Sequence, residues 1–450
     1  MRRILTLALL YGAMQLIIPL DRQHGPGAVT LLTFGFLVLA AYTSGELASL
    51  VKLPKITGYL VAGLLFGPAV AGTVTQAATT ELDPVSRLAV ALIAFLAGAE
   101  LRWGELKERA RTIFTMLGTE MSLSFVGIAL VLWIVRAHVP FLQGVSDGQV
   151  IVLCALFASV SIVHSPAVTM ALLTETRAHG PVARTTLGIV LVADVLVVLV
   201  FSAMLTMARA VVPAPGGGPE LSAGIIAWEI LGALLVGGVL GVAVAIYMRF
   251  VQRELLLFAI VVAFFGAEIA RLAHVETLLT LLTAGFITEN ATKNEEGREL
   301  LHAMERSAGP VFVVFFALAG ASIHITELAQ LWPLALAVVG VRGAMIFTGS
   351  RLGARWSGAA PVVRNNVWLG LISQAGVAIG LATILASAYP SRGAEMQTLI
   401  LSAIAINEIM GQVLFQVALR RSGEIVGEGQ SALNPNMTSA VADSHTGSDS

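Results

Sequence analysis

Cysteine and charge are what this 450-residue chain has least of. Its one cysteine, Cys154, lies in an apolar stretch, so no internal disulfide can form and a small core side chain is the plain reading. Only 12% of the residues are charged, against roughly 25% in soluble domains. A net charge of −1 offers nothing to a polyanion and argues against a nucleic-acid partner. Cys/His metal spacings, a glycine-rich phosphate loop and a nucleophile elbow are all missing, which argues against an enzyme, a metal centre or a bound cofactor. What the chain does have is apolar surface: 56% hydrophobic residues and a mean hydropathy of +0.85. An all-α polytopic membrane protein in a lipid bilayer follows.

A spanning helix needs about 20 apolar residues. Runs of that kind fall at 4–20, 28–49, 55–70, 85–103, 112–136, 149–173 and 184–211, then at 224–249, 254–273, 276–290, 307–325, 330–353, 364–388 and 395–419. The third and tenth are short. The first is ambiguous, because Met1-Arg-Arg ahead of an apolar run also suits a signal peptide. No small-x-small cleavage site precedes Asp21, so a retained N-terminal helix (1–21) is favoured, giving 13–14 spans. With the N-terminus in the cytoplasm, alternation puts twenty Lys/Arg inside and six outside, leaving only Arg342 within a span. That asymmetry supports the map, with both termini cytoplasmic, as in a bacterial inner membrane. Residues 22–421 then form the transmembrane domain. Residues 422–450 are polar and expected to be a disordered cytoplasmic tail. The sequons at Asn290 and Asn436 face the cytoplasm on this map and carry no weight.

The chain repeats itself at an offset of 222 residues. Phe95-Leu-Ala-Gly-Ala-Glu-Leu101 recurs as Ala317-Leu-Ala-Gly-Ala-Ser-Ile323, and Tyr59-Leu-Val-Ala-Gly-Leu-Leu65 recurs as Leu281-Leu-Thr-Ala-Gly-Phe-Ile287. Spans two to seven overlie spans nine to fourteen. Seven is odd, so the two six-helix halves (28–211 and 254–419) face opposite ways, joined by a linker helix at 224–249. Inverted repeats of this kind mark secondary transporters, whose site lies between the repeats near the bilayer midplane.

Ionisable groups at that depth are few. Asp194 sits in Leu187-Gly-Ile-Val-Leu-Val-Ala-Asp-Val-Leu-Val-Val-Leu-Val-Phe201, which has no other charge. A carboxylate there costs about 2.5–3.5 kcal/mol on insertion scales, which makes it a functional candidate by default. Arg342 cannot discharge and must meet an acid or line water. Its repeat mate Glu120, and Glu408, are the candidate counter-charges, and Glu408 also suits a bracing role beside Asn407. Span six carries Ser161, His164, Ser165, Pro166 and Thr169. Pro166 frees the carbonyl of Ile162, the hydroxyls of Ser161 and Ser165 add oxygens, and His164 reads as a local hydrogen-bond donor. Its partner, span thirteen, carries Gln374 and Gly376, where unwinding costs little. Two broken helices at matching places point to a binding site whose oxygens suit a small hard cation, although a proline kink alone is common.

These residues resemble a known family. Leu53-Pro-Lys-Ile-Thr-Gly-Tyr-Leu-Val-Ala-Gly-Leu-Leu-Phe-Gly-Pro68, Gly370 to Ala382 and Asn407-Glu-Ile-Met-Gly411 are similar to helices of the monovalent cation/proton antiporter superfamily, in the branch of bacterial sodium/proton and Kef-type potassium/proton exchangers. The resemblance covers about residues 28–420. It implies a homodimer, a mobile core of crossed, broken helices, Asp194 as the essential aspartate and Arg342 as the basic residue of the core. Relatives place Asp, Asn or Gln just before that aspartate, where this chain has Ala193, and a proline where it has Gln412. One carboxylate holding either a proton or one cation (sodium or potassium) favours electroneutral exchange by alternating access. The rivals are a sodium-coupled organic anion symporter using Arg342, and a transport-inactive homologue.

Overall fold

A computed structural model describes residues 2–21, 26–212, 223–250, 255–292, 309–323, 325–374, 376–389 and 392–425. Among them there are helices and no strands, as backbone that must satisfy itself inside a bilayer requires. The first half contains α1 (Arg2–Asp21), α2 (Pro26–Leu50), α3 (Lys55–Phe66), a short α4 (Gln76–Glu81), α5 (Asp83–Ala99) and α6 (Trp103–Ile134). It continues through α7 (Asp147–Ser161), α8 (Pro166–Thr176) and α9 (Pro181–Val211) to the linker α10 (Ala223–Phe250). The second half has α11 (Leu255–Leu272), α12 (Thr277–Ala291) and α13 (Gly309–Ala321). It ends with α14 (Ile325–Ser357), α15 (Pro361–Gly370), α16 (Gly376–Ala388) and α17 (Gly393–Ser422). Seven helical segments among the described residues are long and apolar enough to cross a membrane, and shorter apolar helices such as Lys55–Phe66 and Gly309–Ala321 lie among them.

The 222-residue repeat has a structural counterpart. A methyl group at Gly63 of α3 would collide with the Ala317 carbonyl of α13, and one at Gly285 of α12 with the Phe95 carbonyl of α5. Gly320 approaches Leu60 in the same way, and Gly98 approaches Leu282. Each contact maps onto the other under the offset, with the partners exchanged. Reciprocal contacts of that form are those of a two-fold relation between the halves. Small residues let the backbones meet where lipid supplies no hydrophobic drive.

Two apolar cores result. One, on the side termed the scaffold, joins α2–α5 and α10–α13 with α8, and is also reached by Leu369 of α15 and by Phe415, Ala418 and Leu419 of α17. The other joins α6, α7, α9 and α14–α17. Helix α9 belongs to both: Leu187 and Leu191 face the first, while Val190, Ala193 and Val197 face the second. Helix α1 packs on α2 through Met14, Phe36 and Ala40, with Arg3 paired to Glu46 at 2.9 Å.

Two expectations need adjusting. The expected tail does not start at 422. Helix α17 runs to Ser422, Gly423 turns the chain at φ 71°, and Glu424 is buried; residues 426–450 lie outside the described residues. The offset also shortens in the last pair of spans, where Pro166 and Gly376 open the second half-helices 210 positions apart.

Candidate functional site

Spans six and thirteen are both broken, not merely kinked. Helix α7 ends at Ser161, residues 163–165 are non-helical with Ser165 extended, and Pro166 restarts the chain as the first residue of α8. Proline suits that position because its missing N–H would have had no partner there anyway. Helix α15 ends at Gly370, and α16 begins at Gly376. The breaks expose carbonyls that no helix satisfies.

Arg342 of α14 meets them. It is fully buried. Its Nε donates to Ser161 O at 2.8 Å, Nη1 to Ile372 O at 2.6 Å, and Nη2 to Val163 O at 2.8 Å and Leu371 O at 3.3 Å. One guanidinium thus holds both interruptions, one from each repeat. Glu120 faces it as a counter-charge through His164, with no direct ion pair from Arg342 to either Glu120 or Glu408, so the guanidinium bonds mainly to backbone. The reason is number, since two broken helices offer more acceptors than any carboxylate does. Arg342 and Gln374 occupy the carbonyls of Ser161, Val163, Leu371 and Ile372, whereas Ile162 O, the carbonyl that Pro166 frees, is not among the ones they bond.

His164 stands between Arg342 and Glu120. Its Nδ1 lies 2.8 Å from Leu371 O and 3.3 Å from Arg342 Nη2, donating to the first or accepting from the second according to the tautomer. Its Nε2 lies 3.1 Å from Glu120 Oε2, a contact that needs one proton between the two atoms. Ser124 Oγ donates to the other Glu120 oxygen at 2.9 Å. Gln374 fulfils its bridging role: Nε2 donates to Ser161 O and Oε1 accepts from Asn407 Nδ2, each at 2.8 Å.

The expected serine ligands are otherwise engaged. Ser161 Oγ donates back to Phe157 O at 3.0 Å, and Ser165 Oγ caps α8 by accepting from Val168 N at 3.2 Å. Neither hydroxyl bonds Asp194.

Asp194 is left with no hydrogen-bond partner at either oxygen, and only 9% of the residue is exposed. It lies on the α9 seam between the two apolar cores, and it lines a cavity with Glu229 of α10 and Glu276 ahead of α12. On α9 and α17 further buried polar atoms lack a partner, Thr185 and Thr186 on the first, Glu408 Oε1 and the Gln412 amide on the second, as do others elsewhere such as Thr57 of α3 and Ser350 of α14. Buried oxygens and nitrogens in that state call for water or an ion. Ala193 faces the packed side, fully buried, so the polar neighbour that relatives carry has no substitute at this point.

Three glutamates were not anticipated. Glu175 accepts from Lys55 N at the start of α3, Glu276 caps α12, and Glu424 accepts from Val182 N and Ala183 N of α9 at 2.8 Å each. Each lies at a helix end, where charge in a sequence is unremarkable. Only the position just before an apolar run could have signalled Glu276.

The comparisons agree with this architecture. The family model described as "Sodium/hydrogen exchanger, transmembrane" matches residues 35–421. The chain is 23% identical over 366 residues to the probable Na(+)/H(+) antiporter GerT of Bacillus cereus, covering 77% of this chain and 88% of that protein. Its fold matches the sodium proton antiporter MjNhaP1 of Methanocaldococcus jannaschii at pH 8 with a TM-score of 0.62 and 16% identity, over 90% of this chain and 98% of the other. An electron-microscopy structure of MjNhaP1 gives a TM-score of 0.60 at 15% identity. With the inverted repeat, the paired breaks and the buried aspartate already in place, the chain is a multi-pass membrane protein that belongs to the sodium/hydrogen exchanger family.

Proposed function

We propose that the protein exchanges a monovalent cation, Na+ or K+, for H+ by alternating access, with proton and cation competing for Asp194. The observation that carries this is the state of Asp194: nine-tenths buried, partnerless at both oxygens, and placed where the α9 seam divides the molecule. A lone carboxylate in that setting is stable only with a proton or a cation. Family membership and the similarity to GerT support the same activity.

Arg342, Gln374, Asn407 and the His164–Glu120 pair keep the two breaks rigid beside the site, and Ser161, Ser165 and Pro166 shape those breaks. Because Ala193 supplies no second charge, the exchange is one for one and electroneutral. A symporter for organic anions would need Arg342 free to meet a substrate carboxylate, and its nitrogens bond to backbone instead. On this proposal the protein works as a homodimer in a bacterial inner membrane, with both termini cytoplasmic.

The test is proton flux in everted vesicles on addition of sodium, potassium or lithium chloride, with and without a membrane potential. Asp194→Asn is expected to reduce cation-dependent flux to background, and the wild-type rate is expected not to respond to the potential. Unchanged flux in the variant overturns the assignment.

A further inference from the structure

Asp194 shares a cavity of about 50 Å³ with two carboxylates that the exchange mechanism has not used. Around Asp194, Glu229 and Glu276 the walls are aliphatic, and no basic side chain lines them among the described residues. Acidic groups alone would be weak grounds. Here one of them is nine-tenths buried and lacks any hydrogen-bond partner while lining the same space. A water needs roughly 10–15 Å³ of such space, so the cavity has room for a cation with a few waters.

The Glu276 side chain is fixed in place, and the backbone of Glu229 is tied to it. The Glu276 carboxylate accepts from Leu278 N at 3.1 Å and from Leu279 N, and its own backbone N–H donates to Glu229 O at 3.3 Å. Both lie at the ends of α10 and α12 that the Lys/Arg distribution assigns to the outer face. A second and wider cavity, about 860 Å³, lies at the opposite ends of the scaffold helices and is lined by Lys55, Arg177 and His179 as well as Glu100 and Glu175. Only the narrow one pairs pure negative charge with Asp194.

We propose that Glu229 and Glu276 form an outer station for the monovalent cation, which holds it, partly hydrated, on its way between the external solution and Asp194. This rests on the Asp194 assignment above. Within an aliphatic wall three carboxylates repel one another, and a cation entering among them relieves all three.

The test uses full-length protein in proteoliposomes of defined orientation, with sodium or potassium chloride titrated on one face at a time. Glu229→Gln and Glu276→Ser, the latter keeping an N-cap acceptor, are each expected to raise the ratio of outer to inner half-saturating concentration about five-fold, and the double variant more. An unchanged ratio in the double variant, or a rise confined to the inner face, overturns the proposal. Should Glu276→Ser fail to fold, Glu229→Gln alone decides. Asp194→Asn separates the two ideas: flux surviving there sinks the Asp194 assignment, while flux lost there with an unchanged ratio in the glutamate variants sinks only the outer station.

Discussion

Every nitrogen of the Arg342 guanidinium is engaged by a carbonyl from one of two broken helices. Lysine keeps the charge but offers one nitrogen on a flexible stem. Ser161 O also accepts from Gln374 and Leu371 O also contacts His164, so Arg342→Lys puts at risk the two carbonyls that depend on Arg342 alone, Val163 O and Ile372 O, at about 1–3 kcal/mol for each left unpaired. The expected outcome is a lower melting temperature in detergent together with exchange reduced about ten-fold or more, as distorted sites show. That these side chains are buried was legible in the sequence, because Asp194, Arg342, Glu120 and Glu408 are each conspicuous in apolar runs. Whom they meet was not. A sequence shows side chains, and an arginine's natural partner among side chains is a carboxylate; the carbonyls released by a helix break carry no residue letter. For the same reason His164 was given only a donor's role, without its contact to Glu120.

Helices in this chain are positioned by glycine at their crossings and by carboxylates at their ends. Gly98→Ala would drive a methyl group into the Leu282 carbonyl, whereas Gly118, in the middle of α6, has open space around its missing side chain. Thermal melts in detergent are expected to show Gly98→Ala destabilised by roughly 1–3 kcal/mol and Gly118→Ala stabilised slightly. Glu424 serves α9 by accepting from the second and third residues of the helix, behind a proline that has no N–H to offer. Glu424→Ala is expected to cost about 0.5–2 kcal/mol in the same melts. The paired glycines were visible as a repeat in the sequence, and their packing follows from it. The Glu424 cap was hidden because polar composition near a C-terminal end suggests disorder, and one docked carboxylate does not alter composition.

Across the whole molecule the proposed cycle needs the α6, α7, α9 and α14–α17 body to shift against the scaffold along the α9 seam. Val198 of α9 and Leu279 of α12 line the same cavity from opposite sides of that seam. Ala233 and Ala270 lie together inside the scaffold. In a Cys154→Ser background, oxidising a Val198→Cys, Leu279→Cys pair is expected to cut exchange about ten-fold or more, reversibly on reduction, as immobilised gating steps do. Oxidising Ala233→Cys with Ala270→Cys is expected to spare it, and equal inhibition by both pairs would contradict two-body motion. The two repeats were legible but the two bodies were not, because each repeat divides between them: α2, α3 and α5 join α11–α13, α6 and α7 join α14–α17, and α8 shares the first core although its other half, α7, belongs to the second. Sequence order cannot report that division, because it arises from which face of each helix finds an apolar neighbour.

The fastening of Glu424 to α9 also makes the polypeptide its own gauge. Helix α1 is anchored on α2, while the segment at Ile425 is tied to the helix that carries Asp194. One fluorophore placed on α1 and another on the exposed Arg421, in the last turn of α17 beside that clasp, would therefore ride on different parts, and energy transfer between them would follow each turnover with the ion pathway itself left unlabelled.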